Sequence, residues 1–273
     1  MKLSAPQIKA RKRRHGAAPL VMVTAYDEPG ARLAAAAGVD LLLVGDSLAN
    51  VVLGHEDTLH VSMEAMCHHV RAVAAAKPDV HVVADLPWLS YHVSVGESVR
   101  NAAQLIRSGA DSVKLEGGRV RKDVVRAILD AEIPVMGHLG LTPQSMLAFG
   151  GFKVQAKTRE AAHQLQLDAK VLQDEGVFAV VIEGVPNVVG TRVTEALEIP
   201  TIGIGAGPDT DGQVLVFHDL LGLSNHRPAK FVRRYADVGT VITEAIAHYA
   251  QDVRSGSFPG PDEVYPNPDE LLN

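Results

Sequence analysis

The chain has 273 residues, of which 47% are hydrophobic and 21% are charged. These fractions are typical of soluble globular proteins, so the composition excludes disorder for the bulk of the chain. Acidic residues number 32 and basic residues 26, which gives a formal net charge of −6. This balance argues against a general nucleic-acid binder, because phosphate contacts need clustered Lys and Arg. No run of apolar residues approaches the roughly 18 consecutive positions that a membrane-spanning helix needs.

The N-terminal segment is basic and is predicted to form a solvated first helix that leads into the first core strand. Its charged residues are Lys9, Arg11, Lys12, Arg13 and Arg14. The apolar stretch that follows is interrupted by Pro19, and an acidic helix start follows at Asp27-Glu28. We therefore do not interpret the segment as a removed signal peptide.

Short runs rich in β-branched residues alternate with longer helical patterns along the rest of the chain. The predicted strands are Leu20–Thr24, Leu41–Val44, Val80–Ala84, Ser112–Leu115, Val135–Gly137, Ala179–Ile182, Thr201–Ile204 and Val214–Phe217. The predicted helices are Pro29–Ala37, Met63–Ala76, Ser98–Arg107, Val120–Ala131, Thr158–Glu175, Val188–Leu197 and Ala236–Asp252. Several strands are apolar throughout, as expected for a parallel sheet that is covered on both faces.

Eight strands that alternate with helices in about 250 residues indicate an α/β protein with a closed (β/α)8 TIM barrel. An open doubly wound sheet is the alternative, and periodicity alone does not separate the two. We find no internal repeat and no linker, so residues 1–273 are predicted to form a single domain. The tail from Gly256 to Asn273 is rich in Pro and acidic residues, and is predicted to lie on the surface or to reach a neighbouring subunit.

Charged residues fall at the ends of five successive predicted strands. They are Asp46, Asp85, Lys114, Glu116, His138 and Glu183. The carboxyl ends of all strands in a parallel barrel meet at one face, where such enzymes build their active sites. A single Asp after a strand more often caps a turn or a helix. The joint pattern is hard to explain in that way, and it predicts a functional site at the mouth of the barrel.

The types of side chain in this cluster favour magnesium chemistry. Asp46, Asp85 and Glu116 offer the hard oxygen ligands that suit Mg²⁺, whereas one His and no thiolate make a zinc cage unlikely. Lys114 would neutralise substrate charge or stabilise an enolate oxygen, and Glu183 or His138 could move a proton. The alternative use of Lys114, a Schiff base with a carbonyl substrate, stays open at this point.

The single cysteine, Cys67, has no partner for an internal disulfide, which fits a reducing, cytosolic setting. Free Cys is among the most buried residue types, and no fixed base is found near it in the sequence. We expect a buried thiol without a part in the chemistry.

Beyond the strand ends, longer strings make the chain similar to a known family, the ketopantoate hydroxymethyltransferases. They run in order from the first strand towards the last helix. The strings are Thr24-Ala25-Tyr26-Asp27, Val44-Gly45-Asp46-Ser47-Leu48, Val51-Val52-Leu53-Gly54-His55, Asp85-Leu86-Pro87, Val113-Lys114-Leu115-Glu116-Gly117-Gly118, Gly137-His138-Leu139-Gly140-Leu141-Thr142-Pro143-Gln144, Gly150-Gly151-Phe152-Lys153-Val154-Gln155, Glu183, Gly203 to Pro208 and Asp211-Gly212-Gln213-Val214-Leu215-Val216. The chain departs from the family pattern at Ala49-Asn50, Trp88-Leu89, Ala156 and Asp209-Thr210. None of these departures removes a candidate ligand or base.

The resemblance implies a barrel of the phosphoenolpyruvate mutase and isocitrate lyase type and a Mg²⁺-dependent hydroxymethyl transfer. The implied donor is 5,10-methylenetetrahydrofolate, the acceptor is 3-methyl-2-oxobutanoate, and the product is 2-dehydropantoate on the route to pantothenate and coenzyme A. The family's metal ligands fall on Asp46 and Asp85, with Glu116 in or next to the coordination shell. Its substrate-binding positions fall on Asp46, Ser47, Asp85 and Lys114. The proton acceptor falls on Glu183, with His138 as a second candidate for moving a proton.

The resemblance also implies a cytoplasmic homodecamer of two stacked rings of five, with no nucleic-acid or membrane partner. Two other readings remain open from the sequence. One is a Mg²⁺-enolate lyase or mutase that acts on another small 2-oxo acid, although the Lys-Lys-Cys-Gly-His loop expected of such a lyase is absent. The other is a non-catalytic scaffold that kept the barrel. The buried charge cluster argues against a scaffold, which has no use for it.

Overall fold

The computed structural model describes residues 2–224 and 228–265. Its strands are β1 (Leu20–Thr24), β2 (Leu41–Val44), β3 (His81–Asp85), β4 (Ser112–Glu116), β5 (Val135–Gly140), β6 (Ala179–Glu183), β7 (Thr201–Ile204) and β8 (Gly212–Leu215). Its helices are α1 (Ala5–Lys9), α2 (Glu28–Ala36), α3 (Leu48–Val51), α4 (Met63–Ala75), α5 (Val95–Arg107), α6 (Lys122–Asp130), α7 (Met146–Phe149), α8 (Arg159–Glu175), α9 (Asn187–Ala196), α10 (Phe217–Leu221) and α11 (Val238–Ser255).

The strands form a closed barrel in chain order, and β8 pairs with β1. All eight pairings are parallel. The predicted (β/α)8 barrel is therefore confirmed, and the open doubly wound sheet is wrong. Because every strand runs in the same direction, every strand end that carries a candidate site residue reaches the same face of the barrel.

Alternation along the strands divides the hydrophobic core into two clusters. One fills the inside of the barrel and includes Leu43, Val83, Met136 and Val181. The other lies between the strands and the outer helices and includes Val44, Ala84 and Leu115. Successive strand residues point to opposite faces, so residues two positions beyond an inward apolar side chain also point inward. This pattern directs the last polar residues of β3 to β6 into the mouth of the barrel.

The predicted long helices agree with the structure to within three residues at each end, whereas the short helices α3, α7 and α10 were not predicted. The predicted bounds of β1, β2 and β7 match, β4 and β6 each extend one residue further, to Glu116 and Glu183, and β5 extends three residues further, to Gly140. β3 lies one residue later than predicted at both ends and so includes Asp85, and β8 lies two residues earlier at both ends and begins at Gly212. A Cβ on Gly212 would lie 2.5 Å from the carbonyl oxygen of Leu20. Only glycine fits this close pairing of β8 with β1, although glycine is otherwise unfavourable in strands.

The prediction of a solvated N-terminal basic segment is wrong in part. Ala5 and Ile8 of α1 are buried and belong to the cluster inside the barrel. Lys12 is also buried, and its ammonium group lies 2.7 Å from the carboxylate of Asp211. The segment therefore packs against the barrel, and the basic run contains one buried ion-pair partner.

The described residues divide into two compact units. The first contains the residues up to Phe217 together with Ala229–Val232, and it holds the whole barrel; the second contains the other residues from His218 onward. The prediction of a single domain stays a prediction.

Residues 256–265 of the predicted surface tail are exposed apart from the half-buried Gly260, and the rest of that tail lies outside the described residues. Among the described helices, none is both long and apolar enough to cross a membrane.

Candidate active site

The six charged residues singled out at the strand ends meet at the C-terminal face of the barrel. Asp46 directly follows β2, Asp85 ends β3, and Glu183 ends β6. Lys114 and Glu116 lie on β4, and His138 lies on β5. Five of the six are buried, and the side chain of Glu183 is 16% exposed. Burial of this many charged groups costs free energy, so the cluster indicates a functional site.

An ion pair between neighbouring strands forms one half of the cluster. Asp85 and Lys114 stand opposite each other in the β3–β4 pairing, and Asp85 Oδ1 lies 2.8 Å from Lys114 Nζ. The other oxygen of Asp85 accepts the backbone N–H of Asp46 at 3.0 Å. Asp85 thus links the end of β2 to the lysine of β4.

A chain of carboxylate and imidazole groups forms the other half. His138 Nδ1 lies 3.4 Å from Glu116 Oε1 and 3.3 Å from Lys114 Nζ, and His138 Nε2 lies 3.1 Å from Glu183 Oε2. Gly140 allows the backbones of β5 and β6 to approach closely beside this contact, because a Cβ at this position would lie 2.2 Å from the carbonyl oxygen of Glu183. His138 therefore connects the deeper carboxylate to the more exposed one.

Ser47 lies at the edge of the cluster. It is half-buried, it precedes the first turn of α3, and its hydroxyl lies 2.8 Å from the hydroxyl of Tyr26. When the Tyr26 hydroxyl donates to Ser47, the Ser47 hydroxyl can donate a hydrogen bond to an anionic oxygen beside Asp46. The structure thus brings the predicted residue Ser47 to the same mouth as the charged cluster.

The site carries more negative than positive side chains, and this changes the pKa values of its members. Burial, together with the nearby charges of Asp85 and Glu116, raises the pKa of Asp46 well above its usual value. Burial alone would lower the pKa of Lys114, but the facing carboxylates Asp85, Asp46 and Glu116 outweigh it and raise that pKa. Burial and Lys114 lower the pKa of His138, yet its contacts with Glu116 and Glu183 prevail and raise it to about 9.

Comparison with known proteins identifies the family. A sequence model described as ketopantoate hydroxymethyltransferase matches residues 2–261. The chain belongs to the ketopantoate hydroxymethyltransferase family. It is 51% identical to the 3-methyl-2-oxobutanoate hydroxymethyltransferase of Koribacter versatilis, with 98% of this chain and 91% of the relative covered. It is 54% identical to 3-methyl-2-oxobutanoate hydroxymethyltransferase 2 of Bradyrhizobium diazoefficiens, with 92% and 86% covered. It is therefore an enzyme, a hydroxymethyltransferase.

The fold has relatives outside the family. A crystal structure of 2,3-dimethylmalate lyase, a member of the PEP mutase and isocitrate lyase superfamily, matches with a TM-score of 0.61. The match covers 100% of this chain and 93% of that chain at 16% sequence identity. At this sequence identity the match concerns the fold alone, and it confirms the predicted likeness of this barrel to the folds of that superfamily.

The ketopantoate hydroxymethyltransferase site has a composition that fits a divalent cation. Four carboxyl groups face one lysine and one histidine, so negative charge is in excess. The raised pKa of Asp46 is consistent with this excess, which a bound cation would reduce. Asp85 Oδ1 is buried and lies 2.8 Å from Lys114 Nζ. The carboxylate oxygens of Asp46, Asp85 and Glu116 are hard donors of the kind that Mg²⁺ prefers.

Among the described residues, no three His, Cys, Asp or Glu side chains are grouped so that they could hold a metal ion between them. A Mg²⁺ ion that is held by one or two carboxylates completes its shell with water and substrate oxygens. Both oxygens of Glu116 already face protein groups, the backbone N–H of Gln144 and the ring of His138. Both oxygens of Asp85 are engaged as well, by Lys114 Nζ and by the backbone N–H of Asp46, so Asp46, Asp85 and Glu116 all stay candidate ligands.

The environment of Lys114 disfavours Schiff-base chemistry. A nucleophilic lysine needs a lowered pKa so that the amine is neutral. Lys114 instead has a raised pKa and pairs with Asp85. Its position favours holding negative charge on a substrate.

Two polar residues of the site were not predicted from the sequence. Gln144 belongs to a string shared with the family, but its residue type alone indicates no role. Tyr91 lies in the loop after β3, where no periodicity or motif marks it. Both are buried, and both contact residues of the cluster. Cys67 is buried and is not among these contacts, as expected.

Proposed function

We propose that this enzyme transfers a hydroxymethyl group from 5,10-methylenetetrahydrofolate to 3-methyl-2-oxobutanoate, with Mg²⁺, to give 2-dehydropantoate. The observation that carries the proposal is the convergence of Asp46, Asp85, Lys114, Glu116, His138 and Glu183 at the barrel mouth. The names of relatives at about half identity support the choice of acceptor. The reaction balances with one water, which supplies the oxygen of the new hydroxyl group.

Asp46 and Asp85 would hold the Mg²⁺ ion, with Glu116 in or next to its shell. When bound, the ion supplies Lewis-acid polarisation of the keto group, which acidifies the hydrogen on C3. Lys114 adds positive charge close to Asp85, where it stabilises negative charge that develops on the substrate oxygen. Ser47, backed by the Tyr26 hydroxyl, is suited to donate a hydrogen bond to the substrate carboxylate.

Glu183 is the proposed base that removes the C3 proton. Its side chain is more exposed than those of the other carboxylates, and it ends the strand next to β5. His138 touches Glu183 through Nε2 and Glu116 through Nδ1, so it orients the base and can move the proton onward. With a pKa of about 9, His138 is mostly protonated at neutral pH and can donate a proton to a nitrogen of the folate.

A product assay tests this function. The purified chain is incubated with Mg²⁺, 3-methyl-2-oxobutanoate and 5,10-methylenetetrahydrofolate, and 2-dehydropantoate is quantified by mass spectrometry. We expect product only when all three are present, and none after chelation of the metal. Consumption of the keto acid without the folate, with cleavage products in its place, would instead support a lyase.

We further propose a cytoplasmic homodecamer. The helix α11 supports an oligomer, because Val241, Ile242, Ile246, Tyr249 and Val253 recur along the helix as an apolar face that the rest of the second unit does not bury. Monomeric proteins rarely leave a contiguous apolar stripe in water. Sedimentation equilibrium that gives the mass of one chain would contradict this assembly.

A further inference from the structure

Gln144 occupies a central position that its residue type does not explain. It lies in the short 3-10 turn after β5 and is 6% exposed. Its backbone N–H donates to Glu116 Oε2 at 3.0 Å. Its side-chain Nε2 donates to Asp46 Oδ2 at 2.8 Å and to the carbonyl oxygen of Leu86 at 3.0 Å. One residue thus contacts chain segments at the ends of three successive strands, β2, β3 and β4.

Tyr91 determines the orientation of the Gln144 amide. The Tyr91 hydroxyl donates to Gln144 Oε1 at 2.6 Å, and its oxygen accepts the backbone N–H of Glu116 at 3.2 Å. Asp46 Oδ2 and the Leu86 carbonyl are both acceptors, so they require the NH₂ end of the amide. A flipped amide would place its carbonyl oxygen against a carboxylate, which is repulsive. The network therefore permits one orientation.

This arrangement restrains a carboxylate that burial would otherwise disfavour. Asp46 is buried, and the hydrogen bond from Gln144 provides its Oδ2 with a donor. Fixing Oδ2 also restricts rotation of the carboxylate, which leaves the second oxygen in one position. Hydrogen bonds to metal-binding carboxylates generally act in this way, by orienting the ligand before the ion arrives.

We infer that Gln144, with its amide oriented by Tyr91, is a positioning residue that holds Asp46 and Glu116 ready for the divalent cation. The inference rests on the proposed function, since it requires Mg²⁺ at Asp46. Among the described residues, the hydrogen bonds of Gln144 go to Tyr91, Glu116, Asp46 and Leu86, and none goes to Glu183 or His138. Gln144 therefore acts on binding of the cation and of the keto acid more than on proton removal.

The test is a double-mutant cycle read out as Mg²⁺ affinity. Mg²⁺ is titrated by calorimetry into the full chain in the presence of 3-methyl-2-oxobutanoate. Gln144→Met keeps the length of the side chain and removes both donors, and we expect Mg²⁺ affinity to fall roughly 10- to 100-fold. Tyr91→Phe removes the hydroxyl that holds Gln144 Oε1, while both contacts of Gln144 Nε2 remain, and we expect a smaller loss, roughly 3- to 10-fold.

Coupling distinguishes positioning from a merely structural role. If Tyr91 acts through Gln144, the double variant loses no more affinity than Gln144→Met alone. We also expect the KM for the keto acid to rise while kcat changes less. The matched control is Gln104→Met, because Gln104 is exposed on α5 and its amide bonds only to Asn101 within the described residues. This control should bind Mg²⁺ like the wild type.

The outcomes separate the inference from the function on which it rests. Gln144→Met with wild-type Mg²⁺ affinity would overturn the inference alone, as would losses that multiply in the double variant. Wild-type protein that binds no Mg²⁺ would overturn the proposed metal and the inference together. If Gln144→Met fails to fold, Tyr91→Phe still decides, because a variant that lacks one oxygen and binds Mg²⁺ normally contradicts the orienting role.

Discussion

Charged side chains are buried at both ends of the barrel, and the two ends satisfy them differently. At the N-terminal end, the ammonium group of Lys12 contacts Asp211 and the carbonyl oxygens of Thr194 and Ile199 at 2.7 to 3.1 Å. Asp211 also accepts the backbone N–H groups of Arg13 and Thr201. One cation thus meets one anion, and the donors of that cation are all used.

At the C-terminal end, negative charge is in excess. Asp46, Asp85, Glu116 and Glu183 share Lys114 and His138, and burial together with the charges of Asp85 and Glu116 raises the pKa of Asp46. In the Lys12–Asp211 pair the two buried charges compensate each other, so loss of one partner would destabilise the fold. The cluster at the barrel mouth has an excess of negative charge, which suits it to bind a ligand of positive charge. Substitutions at the two ends should therefore separate stability from function.

The largest effect is expected at Glu183. Glu183→Gln keeps the size of the side chain but removes the base, so exchange of the C3 hydrogen of 3-methyl-2-oxobutanoate for deuterium should slow by about 10²- to 10⁴-fold. Proton NMR in D₂O with Mg²⁺ and without folate measures this rate directly. Mg²⁺ affinity and thermal stability should stay near wild type. Exchange at the wild-type rate would remove Glu183 from the role of base.

The opposite behaviour is expected at Lys12. Lys12→Met keeps the packing of the stem but leaves Asp211 buried without its cation, which should lower the free energy of unfolding by about 3–5 kcal/mol. Urea denaturation measures the loss. Lys9→Met is the matched control, because Lys9 is exposed in the same segment and should change stability by less than about 0.5 kcal/mol. Equal effects of the two substitutions would contradict the buried pair.

Asp85 tests the excess of carboxylates directly. Asp85→Asn removes the charge of one proposed ligand. Loss of a residue that only hydrogen-bonds to a metal ligand lowers metal affinity roughly 10- to 100-fold, so calorimetry should show at least this reduction in Mg²⁺ affinity. The matched control is Asp111→Asn at the other end of the barrel. Asp111 accepts the backbone N–H of Val82 and pairs with Lys2. Loss of Mg²⁺ binding in both variants would mean that the two ends are not separable.

The sequence predicted the barrel mouth better than it predicted the two loops beside it. Parallel strands bring their carboxyl ends together whatever their exact bounds, so Asp85, Glu116 and Glu183 could be grouped without knowing any distance. Tyr91 and Gln144 meet only because the loops after β3 and β5 fold over the same cluster. Contacts between loops leave no periodic signal in the sequence.

The error at Lys12 has the same origin. A run of basic residues is normally solvated, and composition favours that interpretation. Its burial depends on Asp211, which lies 199 positions away in the sequence and reaches Lys12 only when β8 closes against β1. Short-range patterns do not carry such a partnership, and it becomes visible only in the closed barrel.

The smallest effect is expected from His81, a buried neutral group at the N-terminal end. Its two ring nitrogens lie 2.9 Å from the Leu3 carbonyl oxygen and 2.9 Å from the Ser112 hydroxyl, and burial lowers its pKa below 6.5 despite nearby Asp111. The unfolded chain therefore binds a proton at His81 at a higher pH than the folded chain does. Stability should fall as the pH drops below 6.5, by at most about 1.4 kcal/mol per pH unit from this residue. His81→Gln should flatten that part of the profile measured by denaturation between about pH 7 and 5. Parallel profiles for the two proteins would show that His81 does not titrate on unfolding, and that acid sensitivity arises elsewhere.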